Sequence, residues 1–225
     1  MLWRAMIVAL VLVVALISYK AAMLISRPRG GDYLRGQWNY TDQVRRQALA
    51  SRTGQQTVVM FGDSQIADSG AERLGFANYG IGGETAEGLA SRIPAYDLSR
   101  ARTVVIEVGI NDWMHGGFGG FAPAYIDILN EVPRGARIIA VAIFPFGAKA
   151  ARYFPLRGAA DAVRSANADI ALACSRRANC RFLDLAAALG GPDGLKPQYD
   201  GGDGLHLSAA GYALFLDRVK EITIR

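Results

Sequence analysis

From Thr57 to the C-terminus, short runs rich in β-branched residues alternate with longer stretches of helical character, and no other feature constrains the fold as strongly. The runs are TVVMF from Thr57, ANYGI from Ala77, TVVIEVG from Thr103, RIIAVAIF from Arg137 and RFLDL from Arg181. Each is short and bounded by Gly, Pro or Asn, as buried strands are. Helices are predicted around Glu84–Ile93, Pro123–Glu131 and Ala159–Arg176. A last one runs from Ser208, an N-capping residue, towards Ile222. Strands that alternate with helices imply an α/β fold, a parallel sheet covered on both faces. Ligands then bind outside the carboxyl ends of the strands.

The chain has 225 residues, of which 51% are apolar and 20% charged. That suits one well-buried domain with a short extension and excludes a disordered chain. The formal net charge is +5. The basic residues are scattered apart from small groups such as Arg45-Arg46 and Arg176-Arg177. A nucleic-acid binder carries a basic stripe interleaved with aromatics, and no such stripe is present. The charge reads instead as solubility plus attraction to anionic lipid. The only histidines are His115 and His206, so no Cys/His cluster has zinc-ligand spacing. Nothing in the sequence calls for a metal or a cofactor.

Ala5 to Ser18 is uncharged and strongly apolar. Tyr19 and Lys20 interrupt the run, which continues to Ser26. A helix over that span would be about 33 Å long, close to the hydrocarbon thickness of a bilayer, with Lys20 reaching the interface. A cleaved signal wants small residues at −3 and −1, and Lys20-Ala21-Ala22 puts a lysine at −3. The segment is therefore expected to be an uncleaved transmembrane anchor. Counting the charges beside it would leave the domain in the cytoplasm. A short tail before an apolar segment argues for export, and so does the pair Cys174 and Cys180, which can close a small disulfide in an oxidising compartment. The expectation is a membrane-anchored, exported domain, periplasmic or extracytoplasmic. The chain then divides into an anchor or signal segment (1–26), a polar connector with a short helix near Thr41–Ser51 (27–56) and the main domain (57–225).

Four clusters fall at strand ends. The first strand runs into Gly62-Asp63-Ser64-Gln65, which sets a serine on a strand-to-helix turn above the sheet. The second ends in Asn78-Tyr79-Gly80-Ile81-Gly82-Gly83-Glu84-Thr85, where Gly83 offers an N–H with no side chain in the way. The third ends in Gly109-Ile110-Asn111-Asp112, and the Asn111 amide can aim an N–H at the same point. Before the last helix stands Asp203-Gly204-Leu205-His206. His206 is a candidate general base, and Asp203 can fold back to accept from its imidazole. Taken singly, these are a capping serine, a glycine turn, an Asn-Asp turn and a loop histidine, each ordinary. Their convergence in one order along the chain is not.

The four blocks resemble those of the SGNH (GDSL-type) hydrolase superfamily. GDSQ matches its nucleophile block, NYGIGGET the block of the oxyanion glycine, GIND the GxND block and DGLH the DxxH block. The resemblance spans roughly Thr57 to Ile222. One departure is visible: Gln65 stands where leucine is common, a change expected to affect only local packing. The resemblance implies a three-layer α/β/α sandwich with a flavodoxin-like five-stranded parallel sheet. It implies Ser64, His206 and Asp203 as catalytic residues, with Ser64, Gly83 and Asn111 forming the oxyanion hole. The expected activity is ester hydrolysis through an acyl-enzyme.

Short acyl groups, acetyl above all, on a glycan or similar alcohol fit the absence of a long apolar insertion that could form a lid. Trp113, Phe118 and Phe121, in a glycine-rich loop, are expected to line a shallow wall or to pack on the domain. A lysophospholipid or thioester hydrolase and an O-acyltransferase using the same site remain open, as does the oligomeric state. A binding module on a dead hydrolase fold would have lost Ser64, His206 or Asn111, and all are present. A cysteine hydrolase is disfavoured because neither cysteine falls at a strand's carboxyl end.

Overall fold

The computed structural model describes residues 38–192 and 194–224. The expected anchor lies outside the described residues. Among them, no helix is long and apolar enough to cross a membrane.

Five parallel strands form the central sheet: β1 (Val58–Gly62), β2 (Ala77–Gly80), β3 (Thr103–Glu107), β4 (Arg137–Val141) and β5 (Cys180–Leu183). Their order is β2-β1-β3-β4-β5, the flavodoxin-like winding. Alternation along each strand sorts the side chains into two cores. Val59, Phe61, Val104, Ile106, Ile138 and Ala140 face one side. Met60, Val105, Ile139 and Val141 face the other.

The helices, numbered in chain order, begin with α1 (Trp38–Thr53) and α2 (Ser64–Ala67). They continue with α3 (Ala86–Arg92), α4 (Ile110–Met114), α5 (Phe121–Glu131), α6 (Ala159–Ser175), α7 (Ala186–Leu189) and α8 (Ala209–Ile224). Leu89 of α3, Ile128 of α5 and Ile170 of α6 seal the first face. Ile66 of α2, Leu189 of α7 and Phe215 and Val219 of α8 seal the second. This is the predicted three-layer arrangement. The hydroxyl of Ser208 accepts the N–H of Gly211 at 3.3 Å and starts α8.

Helix α1 departs from the expected connector. It is longer than the short helix near Thr41–Ser51, and it is docked. Tyr40, Ala48 and Ser51 are buried, with Val44 packed between them. Gln43 and Gln47 donate to the Gly80 carbonyl at 3.4 and 3.2 Å. The Ser51 hydroxyl accepts the N–H of Asp97 at 2.9 Å. These ties hold α1 against the end of β2 and the loop after α3.

A disulfide joins Cys174, near the end of α6, to Cys180, at the start of β5. It sits at the amino end of the sheet, away from the turns where ligands bind.

Candidate active site

The turn after β1 is built by close approach. A side chain on Gly62 would begin 1.9 Å from the Glu107 carbonyl of the neighbouring strand, so only glycine lets β1 and β3 end side by side. Asp63 then caps α2, its Oδ1 accepting the N–H of Gln65 at 2.9 Å. Ser64 follows as the first helical residue, half-buried.

The second turn runs alongside. A side chain on Gly82 would begin 4.0 Å from the Ser64 Cβ. Gly83 has φ +80°, the left-handed region that side chains resist. No acceptor among the described residues takes the N–H of Ser64 or of Gly83. The next residue, Glu84, is fully buried and ion-paired with Arg92. It also accepts from the Tyr40 hydroxyl at 3.3 Å. Burial raises the Glu84 pKa and the Arg92 charge works against that rise. Arg92 donates to Tyr96 Oη and to the Tyr79 carbonyl, both at 2.8 Å. A buried pair with its remaining hydrogen-bond capacity met in this way braces the glycine turn.

Asn111 lies 3% exposed in the first turn of α4. Its Nδ2 donates to Asp63 Oδ2 at 3.1 Å and to the Glu84 carbonyl at 3.0 Å. From sequence the amide was expected to point at an oxyanion. Here both of its hydrogens tie the serine turn to the glycine turn. Beneath them Glu107 lies against Asp63, and neither is exposed to solvent. Burial, with the Asp63 charge, raises the Glu107 pKa well above the carboxylate range. Neither Glu107 oxygen has a hydrogen-bond partner among the described residues, and burial beside the Asp63 charge favours its neutral form.

His206 arrives on the loop before α8. Ser64 Oγ stands 2.9 Å from its Nε2, and Asp203 Oδ2 stands 2.7 Å from its Nδ1. A carboxylate only accepts, so Nδ1 carries the proton and Nε2 is left to accept from Ser64. Partial burial would raise the Asp203 pKa. Hydrogen bonds from the His206 ring, the N–H groups of His206 and Leu205, and the Tyr153 hydroxyl outweigh it and hold the carboxyl well below its usual range. The loop itself is pinned. The N–H groups of Gly202 and Gly204 donate to Asp200 Oδ1 at 2.7 and 2.9 Å, and Gly147 donates to the Gly204 carbonyl at 2.7 Å.

Two neighbours of this row were given no part in the site by the sequence. Tyr153 donates to Asp203 Oδ2 at 2.8 Å, with its ring edge-on to His206 at 6.1 Å. Gln65 Nε2 donates to the Leu205 carbonyl at 2.8 Å. The departure read as local packing is thus a polar contact to the histidine loop. Of the loop aromatics, Phe121 is 1% exposed and belongs to the core, so it lines no wall. Trp113 and Phe118 stack at 6.1 Å, and Trp113 donates to the Pro155 carbonyl at 3.3 Å. The loop is folded onto the domain. Among the described residues, no group of three or more His, Cys, Asp or Glu could hold a metal ion.

A flavodoxin-like sheet with serine, histidine and aspartate in hydrogen-bonded series above its strand ends is the plan of a serine-type hydrolase. Residues 48–214 match the sequence model of the GDSL-like lipase/acylhydrolase family. The chain belongs to that family and is a carboxylic ester hydrolase. It is 25% identical over 210 residues to platelet-activating factor acetylhydrolase IB subunit alpha2 of Rattus norvegicus, covering 88% of this chain and 89% of that one. Two solved structures share the fold. One is a GDSL-like lipase from Bacteroides thetaiotaomicron, with TM-score 0.66, 19% identity and coverage of 80% of this chain and 96% of that one. The other is a catalytic mutant of an acetylxylan esterase from Geobacillus stearothermophilus, with TM-score 0.57, 18% identity and coverage of 72% and 91%.

Proposed function

We propose that the chain is a serine esterase that removes short acyl groups, acetyl above all, from a bulky alcohol such as a glycan. The observation that carries the reading is the series Ser64 Oγ, His206 Nε2 and Nδ1, Asp203 Oδ2, with gaps of 2.9 and 2.7 Å. His206 takes the Ser64 proton as Oγ attacks the ester carbonyl carbon. The carbonyl oxygen gains the negative charge and is met by the N–H groups of Ser64 and Gly83. Asn111 serves that site first by tying together the two turns that present these N–H groups. It donates to the oxyanion itself when one of its two bonds is shared. His206 returns the proton to the leaving alcohol, then draws one from water as the water oxygen attacks the acyl carbon, and hands that proton to Ser64 Oγ as the C–Oγ bond breaks and the acid leaves. Asp203 holds the ring in the required tautomer and stabilises the imidazolium.

Three observations support the short acyl group. Gly82 is exposed beside Ser64, and Tyr153 is 43% exposed beside His206, so the row opens to solvent. Trp113 and Phe118, in the loop after Asn111, pack against the core. A relative and a structural neighbour are named for acetyl removal, as an acetylhydrolase and an acetylxylan esterase. A long acyl chain gains about 0.8 kcal/mol for each methylene it buries, which an open row does not provide.

A second reading rests on where α1 begins. Tyr40, near its start, reaches Glu84 next to Gly83, so the chain enters the domain at the catalytic edge. Eleven residues separate Ser26 from Trp38, where α1 begins, a reach of roughly 40 Å when fully extended. With residues 5–26 in a membrane, and the disulfide matching export to an oxidising compartment, the row would lie near lipid. That favours an ester whose alcohol is itself a lipid. Acetyl esters of a glycan and of a lipid alcohol, compared below micelle formation, separate the two, and esters of graded acyl length test the short-acyl reading itself. The short-acyl reading predicts higher kcat/KM for acetyl and butyryl esters than for twelve-carbon ones. A steady rise with chain length contradicts it.

A further inference from the structure

Two bonds cross the gap between the serine turn and the histidine loop, one residue apart on each side. The first is Ser64 Oγ to His206 Nε2 at 2.9 Å. The second runs from Gln65 Nε2 to the Leu205 carbonyl at 2.8 Å. Gln65 is 2% exposed and Leu205 is 6% exposed. The orientation of the Gln65 amide is fixed by chemistry: a carbonyl can only accept, so the nitrogen end faces Leu205. The oxygen end accepts from the Tyr212 hydroxyl of α8 at 3.3 Å. Burial raises the Tyr212 pKa, which keeps that hydroxyl a donor at any working pH.

The two bonds differ in what happens to them in the reaction. The Ser64–His206 bond is lost when Ser64 is acylated and must re-form after each turnover. The Gln65–Leu205 bond involves no reacting atom and persists throughout. We infer that Gln65 is a positioning residue: its amide, bonded to the Leu205 carbonyl, holds the serine turn and the histidine loop at fixed spacing while the bond between Ser64 and His206 breaks and re-forms. The inference rests on the catalytic reading of Ser64 and His206 given above. Leucine at this position can fill the space but cannot bond to Leu205.

The test is Gln65→Met, which keeps the length of the side chain and removes the hydrogen bond. A misplacement of well under 1 Å between nucleophile and base is enough to cost roughly tenfold in turnover. With an acetyl ester, kcat is expected to fall about tenfold or more while KM changes less than about twofold. Tyr212→Phe leaves the Gln65–Leu205 bond in place and is expected to lower kcat less than about threefold. A folded Gln65→Met enzyme with wild-type kcat overturns the inference, however far its melting temperature drops, because a purely structural strut would behave that way. If Gln65→Met does not fold, Gln65→Asn decides, since it keeps an amide but falls one methylene short of Leu205. Reduced kcat at unchanged KM supports the inference, and wild-type kcat overturns it. Ser64→Ala, run in parallel, separates the two levels. If Ser64→Ala stays active, the catalytic reading itself fails. If it is inactive while Gln65→Met is fully active, only the role of Gln65 fails.

Discussion

Asp112 shows how much a single carboxyl at the strand ends is asked to tolerate. Its two oxygens accept the N–H of Ala86 at 3.3 and 3.0 Å. Burial pushes its pKa up to about 7, against the hydrogen bond from Ala86, and the Asp63 charge adds to the rise. In the unfolded chain it ionises near pH 4. Between about pH 4 and 7 the folded state therefore binds a proton that the unfolded state has released, and stability falls as pH rises through that window. Asp112→Asn removes this titration. Urea unfolding at a series of pH values should show the variant gaining on the wild type from pH 5 to pH 8. A difference that stays constant with pH would contradict the assignment. Single residues were also where the sequence was least complete. Ser64, Gly83, Asn111, Asp203 and His206 stand in recognisable blocks. Tyr153 stands in no block and Gln65 stands in one only as a departure from it, and neither signals its contact, because their partners, Asp203 and the Leu205 carbonyl, are 50 and 140 residues away.

At the scale of elements, the strands were legible because β-branched runs between turn residues have few other uses. Their ends were not. TVVIEVG and RIIAVAIF read as strand through Gly109 and Phe144, whereas pairing stops at Glu107 and Val141. Val108, Ala142, Ile143 and Phe144 stay buried beyond the ladder, and burial is what an apolar run reports. Helix α1 was underestimated for the opposite reason. Its buried stripe is thin, Tyr40, Ala48 and Ser51 with Val44 half-buried between them, and the glutamines that also face the domain do so by polar contacts that no apolar pattern reports. The disulfide belongs to this scale too. It closes a loop with a separation of six residues between α6 and β5. Constraining so short a loop in the unfolded chain contributes about 2 kcal/mol. Reduction should lower stability by about that amount in urea titrations and leave kcat unchanged, since the bridge lies at the amino end of the sheet. A parallel loss of kcat would mean that the two ends of the sheet are coupled.

The whole molecule places its chemistry by winding. Sheet order β2-β1-β3 sets the serine, glycine and asparagine turns side by side, and the loop before α8 brings His206 across to Ser64. Much of this was readable in advance, since a doubly wound sheet gathers its strand ends whatever the loops contain. The buried carboxyls under the row were not readable. Nothing in TVVIE marks Glu107 as the buried neighbour of Asp63, because a lone acid in an apolar run gains its meaning from what lies behind it. The proposed reading rests on Ser64 Oγ as the atom that attacks. The most direct test is turnover of an acetyl ester by Ser64→Ala, with circular dichroism and thermal melting to confirm an unchanged fold. Turnover should drop by at least about 10³-fold, because nucleophile and base act as a unit. A folded Ser64→Ala protein that keeps most of its esterase activity would contradict the account.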